Sequence, residues 1–350
     1  MKSALIVRLG SMGDVVHAIP AAAALRGAFP DARIDWVTDP AYLPLLDMVT
    51  VLDRRIGIDT RSIFAGGRAD GRAGLVGTLG ELRRARYDVV LDLQGLLKSA
   101  VLARLAGGRR TVGFPRLELR EPLARLLYSP GTGAGSDPAP TGSAPTPHVI
   151  HKNLALLAAL GVSDGPVRFP LRVPDSAAVD VVVGAHAPQG FVLLNPGAAW
   201  PNKRWPPARF GAVAAAVHRA RGWRSVVLWG PGDERLAADV VAASAGAADV
   251  SPPTTIPEIA ALAHAARVMI SGDTGPLHLA AAVGTPIVGL FGPTRPERNG
   301  PWSDEDVVVS RASQCECVYE RQCRRRQPCI DDIAIEEVMS AVDRRLVARG

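Results

Sequence analysis

The chain has little that would anchor it in a membrane. Of its 350 residues 47% are hydrophobic, yet no apolar run approaches the roughly 18 residues that a membrane-spanning helix needs. Arg8 and Asp14 interrupt the first apolar region, which argues against a secretory signal peptide. Only four cysteines are present. We therefore expect a cytoplasmic globular protein of about two domains.

Lysine is scarce too. Only four of the 40 basic residues are lysines, and they are Lys2, Lys98, Lys152 and Lys203. A lysine retained against a strong arginine bias is expected where a compact point charge is needed, because ammonium and guanidinium groups bind anions differently. This directs attention to Lys98 and Lys203.

The net charge of +6 is distributed unevenly. Residues 1–147 carry 19 Lys and Arg against 14 Asp and Glu, a net charge of +5, whereas the remainder carries 21 against 20. A basic N-terminal half indicates an acidic partner, and both nucleic acid and an anionic glycolipid or membrane surface are candidates. A solvated arginine-rich surface is the alternative.

The common nucleotide-binding signatures are missing. The first glycine-rich turn, residues 10–14, contains neither G-x-G-x-x-G nor a P-loop lysine, and this disfavours a dehydrogenase. The turn instead presents the carboxylate of Asp14 after an apolar strand. An Asp in this position can serve as a general base for an acceptor hydroxyl, or it can simply stabilise the first turn of a helix.

Short apolar strands alternate with helical segments along both halves of the chain. The strands are predicted at 3–7, 34–37, 87–91, 191–194, 225–228, 268–270 and 286–288. The helices are predicted at 15–28 (with a kink or early break at Pro20), 95–105, 207–220, 233–244 and 256–265. This alternation predicts two parallel, doubly wound sheets in Rossmann-like domains at 1–172 and 173–350. A flexible Pro/Gly/Ser-rich tract at 129–147 reads as a surface insertion or a mobile flap.

The segment 271–278 follows an apolar strand and opens a helix. A helix N-terminus carries unpaired N–H groups and partial positive charge, so it suits a phosphate. A second glycine-punctuated turn is predicted at 289–294, and Lys203 and Arg204 add cations in a loop after another strand. Ligands bind beyond the carboxyl ends of such strands, so Asp14 and Asp273 are expected to face one cleft. The simpler alternative is that Asp273 caps a helix.

Together these motifs resemble the lipopolysaccharide heptosyltransferases of glycosyltransferase family 9, most closely the heptosyltransferase I type. The matching segments are 8–17, 92–100, 120–124, 203–206, 229–230, 273–278 and 292–294. The resemblance implies a GT-B fold, with an N-terminal acceptor domain, a C-terminal nucleotide-sugar domain and a cleft between them. It also implies metal-independent, inverting transfer of heptose from ADP-heptose to the Kdo/lipid A inner core of lipopolysaccharide.

The resemblance assigns roles by position. It makes Asp14 the catalytic base, and Lys98 and Arg120 fall where the family meets its anionic acceptor. The expected donor-binding residues are Lys203, Glu234, Asp273, Thr274, Gly275 and His278. The implied partners are ADP-heptose, an anionic glycolipid and the cytoplasmic face of the inner membrane, with peripheral association there, no nucleic acid and no cofactor.

The tail departs from the pattern, because it carries Cys315, Cys317, Cys323 and Cys329. A structural metal site, reduced thiols and disulfides all remain open for these four residues. They also leave open a heptosyltransferase II or a protein-directed heptosyltransferase. A non-catalytic nucleotide-sugar-binding protein is the alternative of another class. The D-x-D string at 304–306 lies in a polar loop, so we do not interpret it as a metal site.

Overall fold

The computed structural model describes residues 1–60, 69–130, 148–163 and 165–347. The chain divides into two compact units, Met1–Arg172 and Val173–Gly350. Most of the predicted flexible tract, residues 131–147, lies outside the described residues. None of the described helices combines the length and the apolarity that crossing a membrane requires.

The N-terminal unit is built on a five-stranded parallel sheet with the order β3-β2-β1-β4-β5. Its strands are β1 (Ser3–Val7), β2 (Arg33–Thr38), β3 (Arg54–Gly57), β4 (Val89–Asp92) and β5 (Arg110–Val112). Its helices are α1 (Met12–Ala28), α2 (Leu43–Asp47), α3 (Ala69–Arg84), α4 (Leu97–Leu105) and α5 (Val149–Ala155). Two 3₁₀ helices that matter below are Arg116–Glu118 and Pro122–Leu127.

The C-terminal unit has a six-stranded parallel sheet with the order β8-β7-β6-β9-β10-β11. Its strands are β6 (Phe191–Asn195), β7 (Arg224–Val227), β8 (Ala248–Val250), β9 (Val268–Gly272), β10 (Ile287–Phe291) and β11 (Val307–Ser310). Its helices are α6 (Ala177–Ala185), α7 (Pro207–Arg221), α8 (Glu234–Ala243), α9 (Ile256–Ala265), α10 (Gly275–Ala282), α11 (Pro296–Asn299) and α12 (Ile335–Val347). This is the doubly wound order whose direction reverses between β6 and β9, and ligands bind at that point.

The central strands are buried because helices cover both faces of a parallel sheet. Every residue of β1, β6, β9 and β10 is buried, which explains why these segments read as continuous apolar runs. In the C-terminal unit, Trp205 and Phe210 pack edge to face with ring centroids 5.1 Å apart. The Trp205 indole N–H donates to the Ile333 carbonyl at 3.1 Å, so the loop after β6 is fixed to the tail of the chain.

The parallel, doubly wound sheets predicted from the alternation are confirmed, but an early break at Pro20 and a second turn that begins at Gly289 are both wrong. Helix α1 runs through Pro20 without a break, because Pro20 and most of its helical neighbours are buried and tertiary packing outweighs the lost hydrogen bond. Strand β10 extends through Phe291, so the second turn begins only at Gly292. Gly289 belongs to the strand, where a Cβ would lie 2.9 Å from the Phe291 ring.

The segment after β4 has a structural role. The buried carboxylate of Asp92 accepts from the backbone N–H groups of Gln94 and Gly95 at 2.9 and 3.2 Å. It also accepts from the Ser99 and Tyr128 hydroxyls at 3.0 and 2.8 Å. Burial raises the pKa of Asp92, and these four hydrogen bonds oppose that shift. Asp92 therefore fixes the start of α4 in the N-terminal unit.

Candidate active site

The C-terminal site lies at the carboxyl ends of β6 and β9. Asn195 ends β6, and its side-chain amide donates to the hydroxyls of Ser271 and Thr274, both at 2.9 Å. Thr274 has an extended backbone, with φ −144° and ψ 165°, and immediately precedes helix α10. The strand ends at the reversal point are thus tied together, and the first turn of α10 is held in place.

Asp273 is the centre of this site. Its Oδ2 atom lies 2.6 Å from the Lys203 ammonium and accepts from the Thr294 hydroxyl at 2.7 Å. Its Oδ1 atom lies 3.1 Å from His278 Nε2 and accepts from the Asn299 amide at 2.9 Å. The side chain of Asp273 is only 4% exposed, and four side chains of the protein contact its carboxylate.

Burial by itself would raise the pKa of Asp273, but the hydrogen bond and charge of His278 and the charge of Lys203 reverse that shift. The net result is a pKa well below the usual range for Asp. Asp273 therefore stays ionised, as a fixed counter-charge. The sequence predicts Asp273 as a donor-binding residue, and in the structure its carboxylate contacts Lys203 and His278.

Lys203 ends the short 3₁₀ helix Pro201–Lys203. Its ammonium lies 4.6 Å from the centre of the Trp200 ring as well as against Asp273, and its side chain is 15% exposed. The loop comes so close to the sheet that a Cβ on Gly272 would lie 2.9 Å from the Lys203 carbonyl oxygen. A glycine is therefore required at the end of β9 for Lys203 to reach this position.

Helix α10 adds backbone donors to this cation. The helix begins at Gly275, and Pro276 in its first turn has no N–H to lose. The remaining N–H groups of the first turn have no partners within the helix, and they carry the positive end of the helix dipole. A lysine held by a buried carboxylate, next to a helix start at a sheet reversal point, has the charge and the donors that suit a phosphate.

Asp233 and Glu234 follow β7, and Arg204 reaches the first of them from the loop after β6. Arg204, considered as a second phosphate cation, is instead paired with Asp233 at 3.3 Å. Burial raises the pKa of Asp233, while the charge of Arg204 opposes that shift. Gly197 lies against this carboxylate, since a Cβ there would come 2.3 Å from Asp233 Oδ2. Glu234 begins α8 with an exposed side chain, so its carboxylate faces solvent, as a ribose ligand needs.

Arg321 is a residue near this site that sequence reasoning missed. Its guanidinium lies 5.7 Å from the centre of the Trp200 ring, the same ring that Lys203 contacts. The segment that carries it is attached to the site loops, because the Asn202 amide donates to the Glu320 carbonyl at 2.9 Å. No motif signals this contact, since Arg321 lies among the tail cysteines, far along the chain from Trp200.

In the N-terminal unit, Asp14 lies in the first turn of α1 with its side chain 42% exposed. One carboxylate oxygen pairs with Arg8 at 2.6 Å, and the other accepts from both the backbone N–H and the hydroxyl of Ser11 at 3.0 Å. Arg8 is nearly buried and also donates to the Leu93 carbonyl. The carboxylate is therefore held in one orientation while remaining open to solvent.

The two predicted acceptor residues are both exposed. Lys98 is in the first turn of α4, and Arg120 lies between the 3₁₀ helices Arg116–Glu118 and Pro122–Leu127. Within the described ranges, neither side chain has an ion pair or a hydrogen bond. Both cations are therefore available to an anionic ligand.

The four tail cysteines are free thiols, and Cys317 and Cys329 are buried. The backbone N–H of Arg324 donates to Cys317 Sγ at 3.2 Å. Burial and a contact with the Cys315 thiol raise the pKa of Cys329 to about 12. Among the residues that the structure describes, no group of three or more His, Cys, Asp or Glu side chains is placed to hold a metal ion.

The chain has two units with doubly wound parallel sheets, and in the second unit a helix begins at the reversal point of the sheet. These features define the GT-B class of fold. Residues 78–328 match the model of glycosyltransferase family 9 (heptosyltransferase). The chain belongs to this family.

Individual relatives match this chain over nearly its whole length. Lipopolysaccharide heptosyltransferase 1 of Pseudomonas aeruginosa is 31% identical, and the match covers 94% of this chain and 89% of that protein. Lipopolysaccharide heptosyltransferase 3 of Escherichia coli is 27% identical, with coverage of 95% and 96%. The solved structure of the E. coli heptosyltransferase WaaC with ADP superposes with a TM-score of 0.77 at 24% identity, covering 98% of this chain and 99% of the other.

Replacing Asp273 with Asn should destabilise the protein by about 3–5 kcal/mol at pH 7, because it leaves the poorly exposed Lys203 ammonium without its counter-charge. A carboxyl group with a lowered pKa stabilises the fold above its unfolded pKa, and this contribution is lost as the pH falls. The difference in the free energy of unfolding between Asp273→Asn and the wild type should therefore become smaller below about pH 4. Thermal unfolding from neutral to acidic pH measures it.

Asp304→Asn is the matched control, since Asp304 is an exposed carboxylate of the same unit. Its melting temperature should equal that of the wild type at every pH. An Asp273→Asn variant as stable as this control at neutral pH would show that the buried network contributes little.

Proposed function

We propose that this protein is an inverting glycosyltransferase that moves heptose from ADP-heptose to the Kdo/lipid A inner core of lipopolysaccharide, without a metal ion. The observation that carries the proposal is the Lys203 ammonium, fixed on Asp273 beside the start of α10. A fixed cation of this kind suits an anionic ligand with its charge concentrated at one point, as in a nucleoside diphosphate. The relative solved with ADP supports the adenosine nucleotide as donor.

The chemical step displaces ADP from the anomeric carbon. The acceptor oxygen forms a bond to that carbon as the bond to the diphosphate oxygen breaks, and the bonding electrons leave with ADP. Lys203 and the N–H groups of Thr274 and Gly275 would stabilise the negative charge that develops on the diphosphate. Because Asp273 and its partners already fix Lys203, little reorganisation is needed as the charge develops.

Asp14 would take the proton from the acceptor hydroxyl. Arg8 and Ser11 hold its carboxylate in one orientation, and 42% of the side chain remains open to an incoming hydroxyl. Glu234 would accept hydrogen bonds from the ribose, and His278 would support the phosphate-binding turn through Asp273.

The acceptor would be recognised through its negative charge. Lys98 and Arg120 are the exposed cations for Kdo carboxylates and lipid A phosphates. Since that acceptor is a membrane lipid, we propose a cytoplasmic enzyme associated peripherally with the inner membrane surface.

Family 9 transfer to another acceptor is a second candidate, favoured by the 27% identity to a type 3 heptosyltransferase over 95% of the chain. A panel of purified acceptors tests both candidates with the same donor. Transfer to Kdo-lipid A supports the first, and transfer only to a core that already carries heptose supports the second.

Lys203→Ala should weaken ADP binding and slow transfer together. A charge-assisted hydrogen bond contributes roughly 1.5–3 kcal/mol, so kcat/KM should fall on the order of tenfold to a few hundredfold. Calorimetry with ADP and steady-state kinetics measure the two effects. Lys2→Ala, at an exposed lysine in the other unit, should change neither quantity. Unchanged ADP affinity in the Lys203 variant would remove Lys203 from the donor site.

Asp14→Asn should lower kcat by about 10²–10⁴-fold, because the amide keeps the shape but cannot accept the proton. ADP affinity should hardly change. Asn caps a helix as well as Asp does, so a loss of capping cannot explain a large fall in turnover. Some stability should be lost, since Arg8 loses its ion pair, and the melting temperature reports that separately.

Ser11→Ala is the control for Asp14, because it removes one hydrogen bond to the carboxylate and leaves the carboxylate itself. It should retain most of the activity. Turnover near the wild-type rate in Asp14→Asn would falsify the assignment of Asp14 as the base.

Transfer should persist in EDTA with no divalent ion added, because Lys203 and α10 supply the positive charge that a metal would otherwise provide. The measurement is the transfer rate before and after chelation. Elemental analysis of the same sample must accompany it, so that metal retained at the tail cysteines is not mistaken for a catalytic ion. Complete loss of activity in EDTA, restored by Mg²⁺ or Mn²⁺, would contradict the proposed chemistry.

A further inference from the structure

The N-terminal unit exposes large apolar side chains on three adjoining elements. Helix α4 packs against the 3₁₀ helix Pro122–Leu127, which in turn packs against the 3₁₀ helix Arg116–Glu118. Their exposed apolar residues are Leu97 (41%), Val101 (37%), Leu105 (38%), Leu117 (66%), Leu123 (65%) and Leu126 (80%). We call this set the leucine face. Isolated exposed apolar side chains are ordinary, but six of them on neighbouring elements indicate an interaction surface.

Helix α4 is apolar on more than the side that packs. Ala100, Leu102 and Ala103 are buried in the unit. Leu97, Val101 and Leu105 follow each other at intervals of four residues, so they form a separate stripe on the exposed side. A helix nine residues long gains nothing in folding from a second apolar stripe, so the stripe is explained by something outside the unit.

The segment that carries the leucine face is strongly basic. Residues 97–127 contain seven Lys and Arg and two Glu, a net charge of +5, which equals the whole excess of residues 1–147. Both acidic groups are engaged: Glu118 pairs with Lys152 at 3.5 Å, and Glu121 accepts from the Leu97 N–H at 2.6 Å. In the described part of the chain, five of the cations have neither an ion pair nor a hydrogen bond, and they are Lys98, Arg104, Arg116, Arg120 and Arg125.

Apolar and basic residues alternate along the face. Leu117 follows Arg116, and Leu126 follows Arg125, so a leucine has a cation directly beside it. Most protein surfaces would have to bury these cations without pairing them, which is costly. A bilayer with anionic headgroups accepts both kinds of side chain, because the leucines enter the acyl boundary while the cations stay among the phosphates.

We propose that the leucine face is the surface by which this protein docks on an anionic lipid bilayer. This inference rests on the proposed function, whose acceptor is a lipid, and it adds the residues that make the contact. Docking needs neither donor nor acceptor, so it is tested with phospholipid alone.

The test is co-sedimentation of the full chain with vesicles of phosphatidylcholine, with and without phosphatidylglycerol. The wild type should bind the anionic vesicles, release them as salt rises, and bind pure phosphatidylcholine poorly. The double variant Leu123→Asp, Leu126→Asp should lose binding by tenfold or more, since it removes two insertable side chains and adds negative charge. Arg104→Gln with Arg116→Gln should weaken only the salt-sensitive part.

Val181→Asp is the matched control, because Val181 is 72% exposed on helix α6 of the other unit. It should bind vesicles like the wild type. Calorimetry with ADP on every variant checks folding and keeps the two proposals apart. A variant that binds ADP but not vesicles has lost docking alone. A wild-type protein that does not bind ADP contradicts the proposed function alone.

Two results would overturn the proposal. One is wild-type binding that does not depend on phosphatidylglycerol or does not change in the leucine variants. The other is self-association in solution, measured by sedimentation, that the leucine variants abolish while vesicle binding persists. The latter would assign the face to a second copy of the chain.

Discussion

The C-terminal site depends on one buried carboxylate. A negative charge removed from water is tolerated only when donors surround it, and Asp273 takes four of them. Lys203, His278, Thr294 and Asn299 come from four separate segments, so the same charge that requires them also fixes their positions. The buried carboxylate therefore fixes the Lys203 ammonium next to the start of α10. This arrangement is present without a ligand.

The central part of the fold could be predicted from the sequence because buried parallel strands leave a plain pattern. Strands β1, β6 and β9 are continuous apolar runs, and each is followed by a turn and a helix. Three of the four edge strands leave no such pattern. Strands β3, β5 and β8 are three or four residues long and carry exposed charges such as Arg54, Arg110 and Asp249, since one side of each lies at the rim of its sheet.

The location of the site could be predicted from the sequence, but the roles of its individual residues could not. The turn after β9 and the cation at Lys203 can be read from local sequence, because both follow strand ends. Which carboxylate faces a ligand and which serves the protein is decided by burial, and burial is set by tertiary contacts. Asp273 lies 70 residues from Lys203, and only the structure shows that it is enclosed. For Asp14 the sequence left a base or a helix cap as alternatives, yet the cap contact and an exposed carboxylate occur together.

The two units use positive charge in opposite ways, and the difference follows from the shape of what each would bind. In the C-terminal unit, Lys203 is mostly buried, compensated by Asp273 and held in one place. Such a charge suits a compact diphosphate, because a fixed, weakly hydrated cation discriminates strongly by distance. In the N-terminal unit, Lys98, Arg116 and Arg120 are exposed and uncompensated among the described residues. Exposed cations are individually weak and screened by salt, so they become effective only against a ligand that presents many anionic groups at once. A glycolipid within a charged bilayer is a ligand of that kind. The chain therefore carries one cation that is buried and fixed by a carboxylate, and a separate set of exposed cations without ion pairs among the described residues. The first kind suits a compact anion, and the second suits an extended anionic surface.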